Sequence, residues 1–216
     1  PDELIRELPR APTAMPVRFG PVNPNREFSC KLMKFSIRNT DLPGVLEIES
    51  PVHGDDRGFF TEVYNADRWL PAGVPRQEFL QDNISCSSSG TLRGLHYQID
   101  PHGQGKLVRC LQGRVFDVAV DIRRGSPTFG QWTGRVLTRE NGLALWVPAG
   151  FAHGFQVLED QSIVIYKCDA CYAPHAERSI LWSDPAIGIQ WPGREQFRRK
   201  DNRSEERRVE KENKYR

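Results

Sequence analysis

Short apolar or alternating runs, separated by Gly, Pro, Asn and Asp about every dozen residues, occupy the middle of the chain. In the clearest of them, residues 115–122, apolar side chains alternate with the carboxylates of Asp117 and Asp121. A period of two places the apolar side chains on one face of a strand and the carboxylates on the other. Similar runs occupy residues 106–111, 143–147, 155–158 and 162–167. Because helical periodicity is weak, the sequence predicts an antiparallel β-barrel or sandwich.

The length of 216 residues suits one domain with a single core. We assign residues 33–197 to this domain, residues 1–32 to a disordered leader or extension, and residues 198–216 to a charged tail. The first segment combines several prolines with no apolar periodicity, and the last is almost entirely charged or polar. Neither end is expected to contribute to the core.

Basic and acidic residues nearly cancel, with 30 Lys and Arg against 28 Asp and Glu and a net charge of +2. This balance provides no strong field for binding nucleic acid or an anionic membrane. The five cysteines are scattered and odd in number, which argues against a disulfide framework. No apolar run reaches the roughly 20 residues of a membrane span. We therefore expect a soluble, cytoplasmic protein with reduced thiols and no nucleic-acid or membrane partner.

The segment from Gly142 to His153 has the pattern of the second cupin motif, in which a glycine is followed by Pro-x-Gly and then by a histidine. The pattern resembles a turn of a small β-barrel that leads into an inward-facing histidine. Metal-binding cupins complete their site with His-x-His and a downstream glutamate. The corresponding residues here are His96, Tyr97 and Gln98. A site with three histidines and one glutamate cannot be assembled from them, so we expect no metal.

The sequence lacks the glycine-rich loop of dinucleotide-binding redox enzymes, the P-loop of nucleotide hydrolases and the nucleophile elbow of serine hydrolases. Cys168 and Cys171 lack a second pair at zinc-finger spacing. We therefore expect no cofactor. An imidazole is a competent base near neutrality, an ammonium can stabilise an enolate, and a phenol can donate a proton. The residues that could supply this chemistry and bind anions are His96, Lys106, Asp117, His153, Tyr166, Arg57 and Arg93.

The segments that carry these residues resemble the dTDP-4-dehydrorhamnose 3,5-epimerase family. They include Gly-Asp-Asp-Arg-Gly-Phe-Phe-Thr-Glu at 54–62 and Leu-Arg-Gly-Leu-His-Tyr-Gln at 92–98. Further matching segments lie at 79–83, 104–109, 116–121, 146–155 and 166–167. They follow the order of the family across residues 33–192. The resemblance implies a mainly β cupin fold, a double-stranded β-helix or jelly-roll barrel with a few short helices, and a homodimer.

The resemblance also implies a reaction and its catalytic residues. The reaction is inversion of C3 and C5 of dTDP-4-dehydro-6-deoxy-D-glucose, without a cofactor, by removal and return of protons beside the C4 ketone. In this family the histidine matching His96 is the general base, the lysine matching Lys106 stabilises the enolate, and the tyrosine matching Tyr166 is the opposing acid. A late Lys-Asp pair orients the base, and Asp201 is the counterpart of that aspartate. If the tail does not reach the barrel, Asp117 is the next candidate to orient the base.

Eight further positions match residues that bind the substrate in this family: Arg57, Glu62, Gln81, Asn83, Arg93, Asp117, His153 and Tyr172. Arg93 and His96 are three residues apart and would lie on opposite faces of a regular strand. Both can reach one pocket only if the strand bulges or bends at Gly94.

Three other functions remain open at this point. The first is an epimerase that inverts only one of the two carbons, which uses the same base. The second is a non-catalytic cupin that binds a sugar nucleotide, and the presence of His96, Lys106 and Tyr166 together argues against it. The third is a metal-dependent oxygenase cupin, and the missing His-x-His argues against that.

Overall fold

The computed structural model describes residues 35–69 and 78–192 of the chain. The leader predicted at 1–32, the tail predicted at 198–216 and Asp201 lie outside the described residues. Within the described ranges, no helix is long and apolar enough to cross a membrane. The elements are β1 (Ser36–Asn39), β2 (Leu46–Glu49), β3 (Val52–Asp55), β4 (Gly58–Thr61), α1 (Ala66–Trp69), β5 (Gln81–Ser87), β6 (Leu92–Gln98), β7 (Lys106–Gln112), β8 (Arg114–Asp121), β9 (Trp132–Thr138), β10 (Leu143–Val147), β11 (Phe151–Val157), β12 (Ser162–Cys168) and β13 (Glu177–Ser179).

Two antiparallel sheets and a separate hairpin make up the described structure. The first sheet has six strands in the order β1-β2-β10-β7-β12-β5, and the second has five in the order β13-β6-β11-β8-β9. Strands β3 and β4 form the hairpin. Several neighbours are distant in sequence, since β10 pairs with β2 and β11 pairs with β6. This architecture confirms the mainly β jelly-roll barrel expected from the sequence.

The strands predicted from the alternating runs all form, with differences at their ends. Strands β7, β8, β10 and β12 match their predicted runs to within one residue at each end. Strand β11 instead begins at Phe151, before the run predicted at 155–158. The small or polar residues from Ala152 to Gly154 gave no strand signal. They are all buried between β6 and β8, so tertiary pairing decides the start of this strand.

The core between the sheets has contributions from both of them. Val108, Val115, Leu137, Phe155 and Val164 lie on five different strands and form one cluster in which no member is more than 3% exposed. Burying such a side chain contributes roughly 1.5–3 kcal/mol. Phe155 also lines the cavity described below. The lining of that cavity is therefore continuous with the packed core at Phe155.

Asp117 and Asp121 on β8 are both fully buried, so each carboxylate needs a partner. Asp121 accepts hydrogen bonds from the side chains of Arg123, Ser126 and Thr128. Although burial raises the pKa of Asp121, these bonds hold that pKa well below its usual range. They also fold the turn between β8 and β9. The partner of Asp117 belongs to the candidate site.

Candidate active site

A cavity of about 320 Å³ opens between strands of the two sheets, at the lower end of the roughly 300–1,000 Å³ usual for ligand sites. Its walls come from β5, β6, β7, β11, β12 and β13 and from the loops beside them. The structure brings eight of the predicted site residues together here. They are His96, Lys106, Tyr166, Gln81, Asn83, Arg93, His153 and Tyr172.

Strand β6 brings both Arg93 and His96 to the cavity although they are three residues apart. Its pairing register with β11 shifts beyond His153, which is the irregularity expected at Gly94. Gly94 has a φ of +112°, and a Cβ there would lie 2.6 Å from the carbonyl oxygen of His153. Only glycine combines this φ with so close a backbone approach. The predicted bend at Gly94 is confirmed.

His96 contacts a carboxylate that the sequence analysis missed. Its Nδ1 lies 3.3 Å from Oε1 of Glu177, and the other oxygen of Glu177 accepts a hydrogen bond from the Tyr172 hydroxyl at 2.8 Å. The side chain of Glu177 is only 13% exposed, whereas that of His96 is 32% exposed. Glu177 begins β13 and reaches this position because β13 pairs with β6, with Glu177 opposite Gln98. No sequence spacing signals that pairing, which is why Glu177 was not predicted.

A second imidazole–carboxylate pair lies in the same cavity wall. Nε2 of His153 is 2.8 Å from Oδ1 of Asp117, and the two side chains are 7% and 0% exposed. Asp117 therefore stands behind His153 and does not line the cavity. The pairing also corrects the expectation that Asp117 would be next in line to orient His96. The pleat of β8 and its register with β11 direct this carboxylate to the other histidine.

Lys106 lies on β7 and Tyr166 on the adjacent strand β12. In the pairing of these two strands, Lys106 is opposite Cys168. Burial lowers the pKa of Lys106, although the negative charges of Asp117 and Glu177 act in the opposite direction. Burial raises the pKa of Tyr166, so its phenol keeps its proton. Burial also raises the pKa of the Cys168 thiol to about 11. The cavity thus contains a protonated phenol, and the thiol of Cys168, which is paired with Lys106 but does not line the cavity, stays neutral.

Amide and guanidinium groups provide polar contacts in the rest of the cavity. Oε1 of Gln81 accepts a hydrogen bond from the backbone N–H of Tyr172 at 2.8 Å, and its Nε2 donates to Oδ1 of Asn83 at 2.9 Å. Nε of Arg93 donates to the Ser87 hydroxyl at 3.0 Å. An arginine fixed through Nε presents a fork that suits phosphate oxygens. These residues can hold a phosphorylated ligand beside the acid–base groups.

Of the remaining predicted residues, Arg57 and Glu62 do not line this cavity. Arg57 follows β3 in the hairpin, where its side chain is 90% exposed and pairs with Asp55. Glu62 follows β4 and pairs with Arg68. Asp201 lies outside the described residues. Within one chain, the structure therefore brings neither Arg57 nor Glu62 to the predicted site.

Among residues 35–69 and 78–192, no group of three or more His, Cys, Asp or Glu side chains is arranged to hold a metal ion. His96 and His153 lie opposite each other on β6 and β11, but each contacts a carboxylate instead. The cavity combines two such imidazoles with an ammonium and a phenol. A barrel with this cavity belongs to the class of acid–base enzymes that move protons on a bound anionic substrate.

Comparison with known proteins identifies the family. The sequence model of the dTDP-4-dehydrorhamnose 3,5-epimerase family matches residues 39–208. The dTDP-4-dehydrorhamnose 3,5-epimerase of Shigella flexneri is 54% identical over 157 residues, which cover 73% of this chain and 87% of that protein. The chain belongs to the dTDP-4-dehydrorhamnose 3,5-epimerase family and is an isomerase.

Solved structures agree with this assignment. The dTDP-6-deoxy-D-glucose-3,5-epimerase of Legionella pneumophila, solved in complex with dTDP-4-keto-L-rhamnose, is 47% identical with a TM-score of 0.74 and covers 79% of this chain and 91% of its own. A 3′-monoepimerase from Streptomyces bikiniensis, in complex with dTDP-quinovose, is 34% identical with a TM-score of 0.70 and covers 76% of this chain and 84% of its own. The fold therefore occurs in enzymes named for one and for two inversions.

Proposed function

We propose that the protein inverts C3 and C5 of dTDP-4-dehydro-6-deoxy-D-glucose to give dTDP-4-dehydro-L-rhamnose, a step of dTDP-rhamnose biosynthesis. The observation that carries this proposal is the meeting of His96, Lys106 and Tyr166 in one cavity. Binding a sugar nucleotide does not require a base, a cation for an oxyanion and an acid together. The enzyme reading is therefore favoured over a non-catalytic binding protein.

The proposed chemistry follows from the C4 ketone, which makes the hydrogens on C3 and C5 acidic. Nδ1 of His96 faces Glu177, so Nε2 is the nitrogen that takes the proton. The electron pair of the C–H bond moves to the C4 oxygen, and the ammonium of Lys106 stabilises the resulting enolate. Tyr166 then donates its phenolic proton to the opposite face of the same carbon, the ketone re-forms, and the centre is inverted. No electrons are gained or lost, so the reaction needs no redox cofactor.

We assign Glu177 as a positioning residue for His96. By accepting a hydrogen bond from Nδ1–H, Glu177 selects the tautomer whose Nε2 can act as a base, and its negative charge stabilises the imidazolium that forms. Glu177→Gln is expected to lower kcat by about 10–100-fold, as is usual for a residue that orients a functional histidine. The affinity for dTDP should change little, and Glu177→Asp should recover part of the turnover.

Asp201→Asn, made in the full chain, is the matched comparison for Glu177→Gln. If Glu177 orients His96, the asparagine variant should retain more turnover than the glutamine variant. If Glu177→Gln left kcat unchanged and Asp201→Asn lowered it strongly, the positioning of His96 would be assigned to Asp201 instead.

We also propose that the enzyme works as a homodimer in which Arg57 and Glu62 bind the nucleotide. Two observations support a second copy. The β3–β4 hairpin exposes Phe59 and Phe60 at 51% and 61%, and Ile84 on the edge strand β5 is 68% exposed. Large exposed apolar patches mark surfaces that other molecules cover, and a second copy of the chain is the cover that we propose for these side chains. Because Arg57 and Glu62 border that hairpin and lie outside their own cavity, a partner is the means by which they can reach a nucleotide.

Inversion of a single carbon is the alternative with a specific observation in its favour, because the 3′-monoepimerase has the same fold. Both reactions use one base and differ in which carbon the cavity presents to it. After incubation with dTDP-4-dehydro-6-deoxy-D-glucose, the ketone can be reduced and the released hexose identified. Inversion at both carbons gives L-rhamnose and 6-deoxy-L-talose. A product that is inverted at C3 but keeps the D configuration at C5, namely 6-deoxy-D-allose or 6-deoxy-D-gulose, would restrict the enzyme to C3.

We propose that the enzyme acts in the cytoplasm and without a metal. A reducing compartment is in keeping with the free thiols among the described cysteines, which are Cys86, Cys110, Cys168 and Cys171. Turnover is expected to be unchanged after dialysis against a chelator, because the proposed reaction uses only protein groups. One tightly bound iron, manganese or zinc per chain, removed together with activity, would overturn this proposal.

A further inference from the structure

Two histidines face each other outside the cavity, on two loops that border it. His102 lies between β6 and β7, and His175 lies between β12 and β13. Their Nε2 atoms are 3.2 Å apart, and the two rings are nearly perpendicular with centroids 4.8 Å apart. The same loops carry Gln104 and Tyr172, which line the cavity. The proposed epimerase reaction uses neither histidine.

The backbone beneath this pair is fixed by the buried side chain of Gln98. Its Nε2 donates to the carbonyl oxygen of His102 at 2.7 Å and to that of Cys171 at 3.3 Å. Its Oε1 accepts a hydrogen bond from the backbone N–H of Ala173 at 2.7 Å. One side chain thus ties the loop of His102 to the loop of His175. These hydrogen bonds of Gln98 hold the two imidazoles near each other.

The spacing of the two nitrogens suits a transition-metal ion. With zinc–nitrogen bonds of about 2.0–2.1 Å, two ligands of a tetrahedral ion lie about 3.3–3.4 Å apart, close to the observed 3.2 Å. Imidazole is a good ligand for zinc, copper and nickel. His175 is exposed and His102 partly so, so an ion can enter from solvent. Since no third His, Cys, Asp or Glu of the described ranges joins the pair, water would fill the other positions.

We propose that His102 and His175 bind one divalent transition-metal ion at an accessory site. The bound ion would link the loop of Gln104 to the loop of Tyr172 at the border of the cavity. With two protein ligands, the site should bind more weakly than a closed four-ligand site and should release its ion to a chelator. Because it stands apart from His96, Lys106 and Tyr166, its loss should leave turnover unchanged. The proposal is therefore independent of the epimerase reaction.

Calorimetric titration of zinc chloride into the full chain at about pH 7.5 tests the site. The wild type should bind one ion per chain, and His102→Ala or His175→Ala should each weaken binding by at least roughly tenfold. The matched control is His53→Ala, which removes an exposed histidine of β3 and should bind as the wild type does. His96→Ala should also bind normally, since the ion does not enter the cavity.

Two further measurements make the outcome decisive. Zinc should raise the Tm of the wild type and not that of the variant lacking both histidines. Binding should weaken at about pH 5.5, because protons compete with the ion for the imidazole nitrogens. Wild-type affinity in the double variant, or loss of binding in His96→Ala, would place the ion elsewhere and overturn the proposal. So would the absence of any heat or thermal shift at millimolar zinc.

Discussion

Replacing His96 with alanine is expected to slow exchange of the C3 and C5 hydrogens with deuterated water by about 10²–10⁴-fold, the range typical of a general base. His96 is the more accessible imidazole of the cavity, with 32% of its side chain exposed against 7% for His153. The exchange can be followed by proton NMR on the 4-keto sugar nucleotide. The affinity for dTDP should change little, because other residues are proposed to hold the nucleotide.

His153→Ala is the matched control for this prediction. His153 is the other histidine that lines the cavity as described, and it also contacts a carboxylate. Its contact with Asp117 is shorter than that of His96 with Glu177, at 2.8 Å against 3.3 Å, so His153 is the rival candidate for the base. We expect His153→Ala to act mainly on KM and to retain exchange within about tenfold of the wild type. Loss of exchange in His153→Ala with retention in His96→Ala would move the base to the His153–Asp117 pair.

Replacing Lys106 with methionine should lower kcat by roughly 10²–10³-fold, the loss typical for one donor to an oxyanion. Methionine retains an unbranched apolar stem but carries no charge, so the enolate loses its cation. Burial lowers the pKa of Lys106, and the ammonium is charged below that pKa and neutral above it. Turnover of the wild type should therefore fall as the pH rises through a value below the ordinary lysine pKa of about 10.4.

Two variants separate the lysine from the tyrosine in this pH profile. In Lys106→Arg the guanidinium stays charged to higher pH, so the alkaline decline should move upward. In Tyr166→Phe the decline should remain in place, because burial raises the pKa of the phenol and the phenol is still protonated in this range. Tyr166→Phe should slow completed inversion more than initial exchange. An unchanged decline in Lys106→Arg, or its disappearance in Tyr166→Phe, would contradict the assigned roles.

The features that the sequence predicted best depend on local pattern. The alternation at 115–122 predicted β8 to within one residue, because a strand with one apolar face must show a period of two. Gln81 and Asn83 were expected at the site from the family resemblance, and their joint presence in the cavity agrees with a period of two, which places both on one face of β5. The bend at Gly94 was also predictable, since both Arg93 and His96 had to reach one pocket.

The features that escaped prediction depend on the register between distant strands. Glu177 is a single carboxylate in a turn-rich segment, and only the pairing of β13 with β6 brings it to His96. Asp117 was expected as an alternative partner for His96, but the alignment of β8 with β11 places it against His153. Arg57 matched the family motif, but a motif does not show whether a residue binds a ligand in the cavity of its own chain or in that of another chain. Contacts of this kind require the three-dimensional arrangement.

Proton NMR of the wild-type protein with dTDP-4-dehydro-6-deoxy-D-glucose in deuterated water tests the central proposal most directly, because it observes C3 and C5 separately. We predict that both hydrogens are replaced by deuterium and that the L-configured product appears, with no cofactor added. Bound substrate whose C3 and C5 hydrogens both persist would contradict the assignment of His96, Lys106 and Tyr166 as an epimerase site.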